Sequence, residues 1–207
     1  MTPEDRLTTL GLLWAAWEQQ GRGLAADQWQ QPTRLGDWTV RMLYAHAAGW
    51  PVGLSHLVGQ VRDVRPTHAT AAALLGDFNR PGGTATSQAG RVAAAAREDA
   101  ATYPPAQLIE QFAVTGPQAI ARARRLGPVV VDYFGRAMLP LEEAVSIGIL
   151  EATVHLLDLQ RALEVPPEVP GAGLEHTVGL LAAMAPPVDF IELATGRRQV
   201  AVFPVLR

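Results

Sequence analysis

The sequence predicts an all-α protein, a four-helix bundle whose helices are joined by long connectors. Several segments carry apolar residues at three- and four-residue spacing, which is typical of amphipathic helices, and stretches rich in proline and glycine separate them. The 207 residues suit one domain, or one domain with a small appendage. With 48% hydrophobic and 18% charged residues, the chain has enough apolar material for a sizeable core.

The first helix is predicted over residues 4–23, because one apolar stripe follows helical spacing along it. This stripe consists of Leu7, Leu10, Trp14 and Trp17. Gly21 and Gly23 are stop signals near the end of the helix. A connector interrupted by Pro32 and Gly36 follows.

The second helix is predicted to begin near Thr39 and to run to about Val61. Asp37 or Thr39 can accept a hydrogen bond from a free N–H group of the first turn, as N-cap residues do. Pro51 lies inside the segment. Because proline lacks an N–H and clashes with the preceding turn, we expect the helix to kink near Ala47 or to end there.

The middle of the chain is predicted to be rich in loops over residues 64–90, apart from a short helical turn at 69–75, because prolines and glycines interrupt it. The alanine-rich run 91–101 has strong helix propensity. A further bundle helix is expected over about 105–125, with a kink at Gly116–Pro117.

The C-terminal part begins with a predicted long connector at 126–138. A strong helix follows over about 140–164 and opens with Pro140, which is a favoured first-turn residue. Residues 173–185 are predicted to form an extra helix. The strand-like run at 200–203, Val-Ala-Val-Phe, predicts a short terminal strand.

Two absences from the composition exclude whole classes of chemistry. All 17 basic residues are arginine, so that a Schiff-base lysine, a phosphate-binding loop lysine and a lysine base are excluded. The chain has no cysteine, which excludes a thiol nucleophile, a disulfide and a thiolate metal ligand. A bound metal would therefore need histidine, carboxylate, carbonyl or water ligands.

Charge and hydropathy predict a cytoplasmic protein that binds neither nucleic acid nor a membrane. The net charge is −3 and the pI about 5.9, which does not favour binding to a phosphate backbone. The first residues lack the basic and apolar regions of a signal peptide. The most apolar long stretch, 139–157, carries four ionisable side chains, Glu142, Glu143, Glu151 and His155, too many for a membrane span.

Glu151 and His155 are the most informative pair of polar residues. They are four residues apart on a predicted helix, so that they lie about 40° apart on one face and about 6 Å apart along the axis. Apolar residues flank them, and a buried carboxylate or imidazole needs a partner. A shared metal ion is one such partner, and an ordinary Glu–His hydrogen bond within the helix is the alternative.

A third metal ligand would have to come from another helix, and His46 in the second helix is the candidate. Its alternative role is that of a core histidine bonded to a backbone carbonyl. His56 lies about 15 Å further along the same helix, too far to share a metal with His46. His68 in a loop and His176 near a helix edge are expected to be surface or packing residues.

Several motifs, in this order and spacing, resemble the DinB-like superfamily and, within it, the metal-binding domain of the mycothiol-dependent maleylpyruvate isomerases. The resemblance covers most of residues 5–165 and, more weakly, 174–198. The motifs are Asp27-x-Trp29-x2-Pro32-Thr33-x-Leu35, Trp38-Thr39-Val40-Arg41 with Ala45-His46, Glu151-x3-His155-x2-Asp158-Leu159, and Ala194-Thr195-Gly196-Arg197.

The resemblance implies a DinB-like four-helix bundle over residues 1–165 with a divalent metal at one end of its core. The short C-terminal extension, residues 166–207, is expected to pack on this bundle. By motif, His46, Glu151 and His155 match the three metal ligands. Asp158 is then expected to be a second-shell residue that orients the imidazole of a metal-bound histidine.

The resemblance also implies the chemistry. Two imidazoles and one carboxylate leave an open metal position, which is the catalytic pattern. The implied cofactors are a divalent metal, zinc first with nickel or manganese as alternatives, and an external low-molecular-weight thiol, mycothiol- or bacillithiol-like. The expected reaction is either S-transfer to a small electrophile or cis–trans isomerisation of that electrophile. A homodimer is the expected assembly.

Two other functions stay open from the sequence. The first is a non-catalytic helical bundle that binds a ligand or a partner, with a structural metal or none. The second is a non-haem iron oxygenase, because two histidines and one carboxylate also suit that iron site. Such oxygenases are usually built on β-rich folds, which does not fit a mainly helical chain.

Overall fold

The computed structural model describes residues 1–199, 201–202 and 204–205, and it confirms the DinB-like all-α fold. Four segments form the bundle, and in chain order the first and the second each pack against both the third and the fourth. They are α1 (Pro3–Gly23), α2 (Val40–Leu57), a segment made of α5 (Pro105–Glu110), a π-helical turn (Gln111–Thr115) and α6 (Gly116–Leu126), and α7 (Leu141–Ala162). Helix α4 (Thr84–Thr102) covers the outer side of α2.

Capping residues define where the first two helices begin. In α1, the Thr2 hydroxyl accepts a hydrogen bond from the Asp5 N–H, and the Asp5 carboxylate accepts one from the Thr2 N–H, which is a capping box. In α2, the Thr39 side chain accepts a hydrogen bond from the Met42 N–H. Thr39, rather than Asp37, is therefore the N-cap of the helix that carries His46.

Helix α2 continues through Pro51, so the alternative in which it ends at Ala47 is wrong. Proline removes one backbone hydrogen bond, but α2 packs against α4, α6 and α7, and burial on three sides outweighs that loss. The helix ends at Leu57, before the predicted Val61, because Val61 and Arg62 form a short strand instead.

Aromatic side chains fill the centre of the bundle and connect its helices. Trp17 stacks on Phe112 with a centroid distance of 5.4 Å, and its indole N–H donates to the Ala152 carbonyl at 3.0 Å. The Tyr44 hydroxyl donates to the Trp17 carbonyl at 2.9 Å. These contacts hold α1, α2 and α7 together next to the turn of α7 that carries Glu151.

A small antiparallel sheet replaces the predicted connector at 126–138. Strand β1 (Val61–Arg62) pairs with β2 (Val130–Tyr133), and β2 pairs with β3 (Ala137–Pro140). The buried side chains of Val131 and Leu139 are opposite each other and join the core. Pro140 is the last residue of β3 and caps α7, instead of opening its first turn as predicted.

The loop-rich prediction for residues 64–90 is also wrong in part. Helix α3 spans Ala71–Phe78, and α4 begins at Thr84, well before the predicted start at residue 91. Threonine, serine and alanine over 84–90 continue the helix without any apolar stripe, so periodicity could not reveal this part. The bend predicted at Gly116–Pro117 coincides with the end of the π-helical turn.

Two more helices follow the bundle. Helix α8 (Gly171–Met184) packs on α7, α3 and α1, and α9 (Pro187–Ala194), which the sequence did not predict, contacts α8. The division of the chain into a bundle, 1–165, and a C-terminal extension, 166–207, stays a prediction.

Of the predicted terminal strand, Val200 and Phe203 lie outside the described residues, and Ala201 and Val202 are not in a strand. Among described residues, no helix combines the length and apolar character that a membrane crossing needs.

Candidate metal centre

Helices α2 and α7 bring His46, Glu151 and His155 into one cluster. His155 Nε2 lies 3.4 Å from Glu151 Oε2, and His46 Nε2 lies 3.7 Å from the same oxygen. The two imidazole rings meet edge to face, with a centroid distance of 5.0 Å and an interplanar angle of 87°. Residues more than a hundred positions apart in the sequence thus converge on one point.

The spacing of the donor atoms fits a divalent metal ion. One ligand atom from each of the three residues lies within 4.8 Å of the other two. Two ligands that are each about 2.1 Å from a tetrahedral zinc ion are about 3.4 Å apart, close to the observed distances. The distance of 3.7 Å between His46 and Glu151 is too long for a hydrogen bond, so a direct contact does not satisfy both groups.

The cluster is open to solvent on one side. The side chains of His46, Glu151 and His155 are 21%, 22% and 18% exposed. A structural zinc site is usually closed by four protein ligands, whereas three protein ligands with an accessible side leave a position for water or substrate. The arrangement therefore matches a catalytic type of centre more closely than a structural one.

Asp158, one turn after His155, contacts the second ring nitrogen of the His155 imidazole. His155 Nδ1 lies 2.9 Å from Asp158 Oδ2, and the second carboxylate oxygen accepts a hydrogen bond from Arg34 Nε at 2.7 Å. The carboxylate is almost fully buried, with 4% exposure. Nδ1 therefore carries a proton toward Asp158, and Nε2, which faces Glu151, is the nitrogen that would bind a metal after losing its own proton.

Arg34 was not predicted from the sequence, because the loop that carries it lies far from α7 in the chain. Backbone hydrogen bonds close this loop: the Thr33 N–H donates to the Trp38 carbonyl and the Val40 N–H donates to the Gln31 carbonyl, each at 2.9 Å. The loop thus holds Arg34 on Asp158. It also places the Trp38 ring edge to face with His46, at 5.4 Å between centroids.

Neighbouring charges shift the pKa values of Glu151 and His155. Burial alone would raise the pKa of Glu151, but the contacts with His155 and His46 outweigh burial and lower that pKa to about 2. Burial alone would lower the pKa of His155, but Asp158 and Glu151 outweigh burial and raise that pKa to about 9. Without a metal, the cluster is thus a carboxylate paired with an imidazolium at neutral pH.

Two further acidic groups lie near the cluster and were not singled out from the sequence. Burial raises the pKa of the Tyr133 phenol, and the charge of Glu151 acts in the same direction, so the phenol keeps its proton. Burial and the neighbouring charge of Glu98 also raise the pKa of Asp99 on α4, against an opposing interaction with His46. The turn at Phe134–Gly135, where both residues have positive φ, joins the two strands that position Tyr133, and these strands are too short for alternation to have revealed them.

The remaining histidines lie elsewhere, as predicted. His56 stacks on Phe134, with 6.1 Å between the ring centroids, and His68 pairs with Asp77 at 2.9 Å. His176 lies on α8, and burial lowers its pKa. The structure brings together the three predicted ligands and the predicted second-shell aspartate, while the ligand role of each residue stays a prediction.

Comparison with known proteins agrees with this geometry. The family model described as the mycothiol maleylpyruvate isomerase N-terminal domain matches residues 10–160. The crystal structure of the mycothiol-dependent maleylpyruvate isomerase is similar at 16% identity and a TM-score of 0.57, covering 88% of this chain and 68% of that chain. A histidine-to-alanine mutant of that enzyme matches with the same coverage and TM-score at 17% identity.

At these identities, the likeness to solved structures shows the fold alone. No curated protein matches the chain in sequence. The family match spans well over half of the chain, including His46, Glu151, His155 and Asp158. The chain therefore belongs to the mycothiol maleylpyruvate isomerase N-terminal domain family.

Proposed function

We propose that this protein is a divalent-metal-dependent enzyme that uses an external low-molecular-weight thiol for S-transfer to, or cis–trans isomerisation of, a small electrophile. One observation carries the proposal: two imidazole nitrogens and one carboxylate oxygen converge within 4.8 Å on a solvent-accessible side of the bundle. The family of the chain supports the choice of thiol chemistry.

The donor set favours zinc, with nickel or manganese as alternatives. Imidazole nitrogen and carboxylate oxygen suit all three ions, and the absence of cysteine leaves no protein thiolate to compete for the open position. His46, Glu151 and His155 would hold the ion. A divalent ion held there would lower the pKa of a coordinated thiol and so would supply a thiolate sulfur at neutral pH.

Both reactions follow from a nucleophilic sulfur. In isomerisation, a sulfur–carbon bond forms while an electron-poor double bond becomes single; after rotation, the same bond breaks and the double bond re-forms. In S-transfer, the sulfur–carbon bond persists and the leaving group departs with its electron pair. A protein without cysteine needs this sulfur from outside.

The chain's own residues would orient and enclose the reactants. Asp158 fixes the tautomer of His155, and Arg34 neutralises the buried charge of Asp158. Trp38 covers one side of His46, which restricts water around that ligand. The protonated Tyr133 phenol near Glu151 is a hydrogen-bond donor for negative charge that develops on the electrophile.

The test begins with metal content. Chelator-treated protein is reconstituted with zinc, desalted and analysed for zinc per chain, in the wild type, His46→Ala, His155→Ala and the control His56→Ala. His56 also lies on α2, but its ring stacks on Phe134 away from the cluster. We expect about one zinc per chain in the wild type and the control and a loss of zinc in the other two variants.

Activity is then measured with the zinc-loaded protein, mycothiol and maleylpyruvate for isomerisation, and with mycothiol and an alkylating electrophile for S-transfer. We expect turnover that needs both the metal and the thiol and is abolished in His155→Ala. Zinc that binds without turnover or thiol binding supports a non-catalytic bundle with a structural metal. Failure of the wild type to bind zinc, nickel or manganese refutes the enzymatic proposal.

A further inference from the structure

A second cavity lies away from the metal centre, where α1, α3 and α7 begin and α8 packs against them. Its volume is about 610 Å³, and none of the cluster residues lines it. On α7, Glu143 lines this cavity, whereas Glu151 of the cluster comes eight residues later, about 12 Å further along the helix axis. A molecule in this cavity is therefore separate from the metal centre.

Arg6 on α1 brings an unpaired edge of its guanidinium group to this cavity. Its Nη1 donates to the Glu143 carboxylate at 2.6 Å and to the Glu142 carbonyl at 2.9 Å. The edge formed by Nε and Nη2 has no hydrogen-bond partner among the described residues, although Nε is buried. Buried polar groups are nearly always hydrogen-bonded in proteins. The parallel N–H groups of such an edge match the two oxygens of a carboxylate, which arginine binds in bidentate form.

His176 on α8 lines the same cavity and also lacks a partner. Its Nε2 is buried, and no described residue makes a hydrogen bond to it. Burial lowers the pKa of His176, and the positive charge of Arg6 acts in the same direction, against the opposing charge of Glu143. The imidazole is therefore mainly neutral at neutral pH and can donate one hydrogen bond. Two helices thus bring unfilled donors to one space.

The other groups of the cavity limit what a carboxylate ligand can carry. The carboxylates of Glu143 and Glu175 line the cavity and would repel a second negative charge on the ligand. Gly179 leaves room, because a Cβ there would meet no atom within 4 Å. The apolar walls suit a short hydrocarbon and come from Ala72, Leu180 and Ala183. A monocarboxylate fits this set better than a dicarboxylate or a phosphate.

From these observations we infer that the cavity between α1, α3, α7 and α8 is a second ligand site, which binds a small aliphatic monocarboxylate. The two oxygens of the ligand accept hydrogen bonds from the free edge of Arg6, and His176 donates to one of them. Glu143 holds the guanidinium from its other side. The hydrocarbon of the ligand packs on Leu180. The inference does not depend on the proposed function, because no cluster residue takes part in it.

Calorimetric titration with three ligands of similar shape tests the inference. 4-Methylpentanoate carries one carboxylate on a branched hydrocarbon, 4-methylpentanamide replaces the carboxylate by a neutral amide, and 2-methylglutarate replaces one methyl group by a second carboxylate. We expect the wild type to bind 4-methylpentanoate with a Kd of about 1 mM or tighter. The amide and the dicarboxylate should bind at least about tenfold more weakly.

Carboxylates also coordinate metal ions, so the titration is carried out with zinc-loaded and with metal-free wild-type protein. We expect the same affinity for 4-methylpentanoate in both, because the cavity lies about 12 Å along α7 from Glu151. Binding that requires zinc would place the ligand on the metal and refute the inference. The metal-free titration remains decisive even if the chain binds no metal, so a failure of the proposed function is recognised separately.

Arg6→Lys keeps a positive charge beside Glu143 but removes the paired N–H edge, and we expect it to weaken binding of 4-methylpentanoate about tenfold or more. Arg124→Lys is its matched control, because Arg124 also pairs with a glutamate of another helix, at 2.8 Å, and does not line the cavity. Both variants should unfold at a similar temperature, and Arg124→Lys should bind the ligand as the wild type does.

Gly179→Leu fills the cavity without touching Arg6, and Gly90→Leu is its control. Gly90 also lies in a helix where a Cβ would meet no atom within 4 Å, but it does not line the cavity. We expect Gly179→Leu to weaken binding about tenfold or more and Gly90→Leu to leave it unchanged. The inference is wrong if the wild type binds no 4-methylpentanoate at about 10 mM, or if folded Arg6→Lys or Gly179→Leu binds it with wild-type affinity.

Discussion

Replacing Asp158 with asparagine removes one negative charge behind the metal cluster and keeps the size of the side chain. In the wild type, Asp158 accepts hydrogen bonds from both His155 and Arg34, at 2.9 and 2.7 Å. The asparagine oxygen can accept only one of them well, and the imidazole loses its charged partner. His155 Nε2 then becomes a weaker and less well oriented ligand.

The size of the effect follows from two opposing terms. Loss of an outer-shell carboxylate lowers zinc affinity by about 10- to 100-fold, or about 1.4–2.7 kcal/mol. The second term is proton competition. Because the pKa of His155 is about 9 in the metal-free protein, zinc must displace a proton at pH 7, which lowers the wild-type affinity by up to about 100-fold. Asp158→Asn lowers this pKa and therefore weakens the competition.

Measuring zinc affinity at several pH values therefore separates the loss of ligand strength from the change in proton competition. At pH 9, where His155 is half deprotonated in the wild type, the variant should bind zinc about 10- to 100-fold more weakly. As the pH falls toward 7, wild-type affinity should drop faster than that of Asp158→Asn, and the difference should shrink. A purely structural defect would lower affinity by a similar factor at every pH.

Competition with a chromophoric zinc chelator between pH 7 and 9 measures these affinities. Asp77→Asn is the matched control, because Asp77 also pairs with a histidine at 2.9 Å and with an arginine at 2.8 Å, on a part of the surface away from the cluster. The reasoning is refuted if folded Asp158→Asn binds zinc at pH 9 with wild-type affinity, or if Asp77→Asn shows the same loss.

Three further predictions concern stability. In the metal-free protein, the raised pKa of His155 stabilises the fold, and this contribution is complete below about pH 6.5. As the pH rises to about 9, we expect the free energy of unfolding to fall by up to about 3 kcal/mol. Urea unfolding at several pH values measures this change, and a free energy of unfolding that does not vary over this range contradicts the prediction. Gly116→Ala should destabilise the protein by about 1–3 kcal/mol, because the new Cβ would lie 2.6 Å from the Trp14 ring. Gly90→Ala, where a Cβ meets no atom within 4 Å, should stabilise it by up to about 1 kcal/mol. Equal stability of the two variants in thermal unfolding would refute this prediction. Phe112→Ala should lose about 3–5 kcal/mol in denaturant unfolding, because the buried ring leaves a cavity in the aromatic core, and a loss under 1 kcal/mol would show that the core adapts.

The elements with a strong helical period were predicted well. Helices α1 and α7 begin and end within a few residues of the prediction, because a continuous apolar stripe and clear capping or breaking residues mark both. The short sheet was missed because each strand is at most four residues long, and such a run has too few alternations to be recognised. Helix α2 passes through Pro51 because burial on several neighbours outweighs one lost hydrogen bond.

The candidate site was predicted in part. Glu151 and His155 share a helix face by local geometry alone, and the resemblance to a family selected His46 as the third ligand. Arg34 binds Asp158 from a loop, and Tyr133 and Asp99 interact electrostatically with Glu151 and His46 from a strand and a separate helix. Nothing in the local sequence marks these three residues.

By itself, the sequence determined the helical class of the fold, the exclusion of lysine and cysteine chemistry, and the pairing of Glu151 with His155. These features depend on composition and on contacts within one or two helical turns, which are local. The tertiary structure alone decided that His46 lies 3.7 Å from Glu151 and that Arg34 binds Asp158. Such features depend on how distant elements pack, because the free energy of burial acts on the assembled bundle rather than on any single segment.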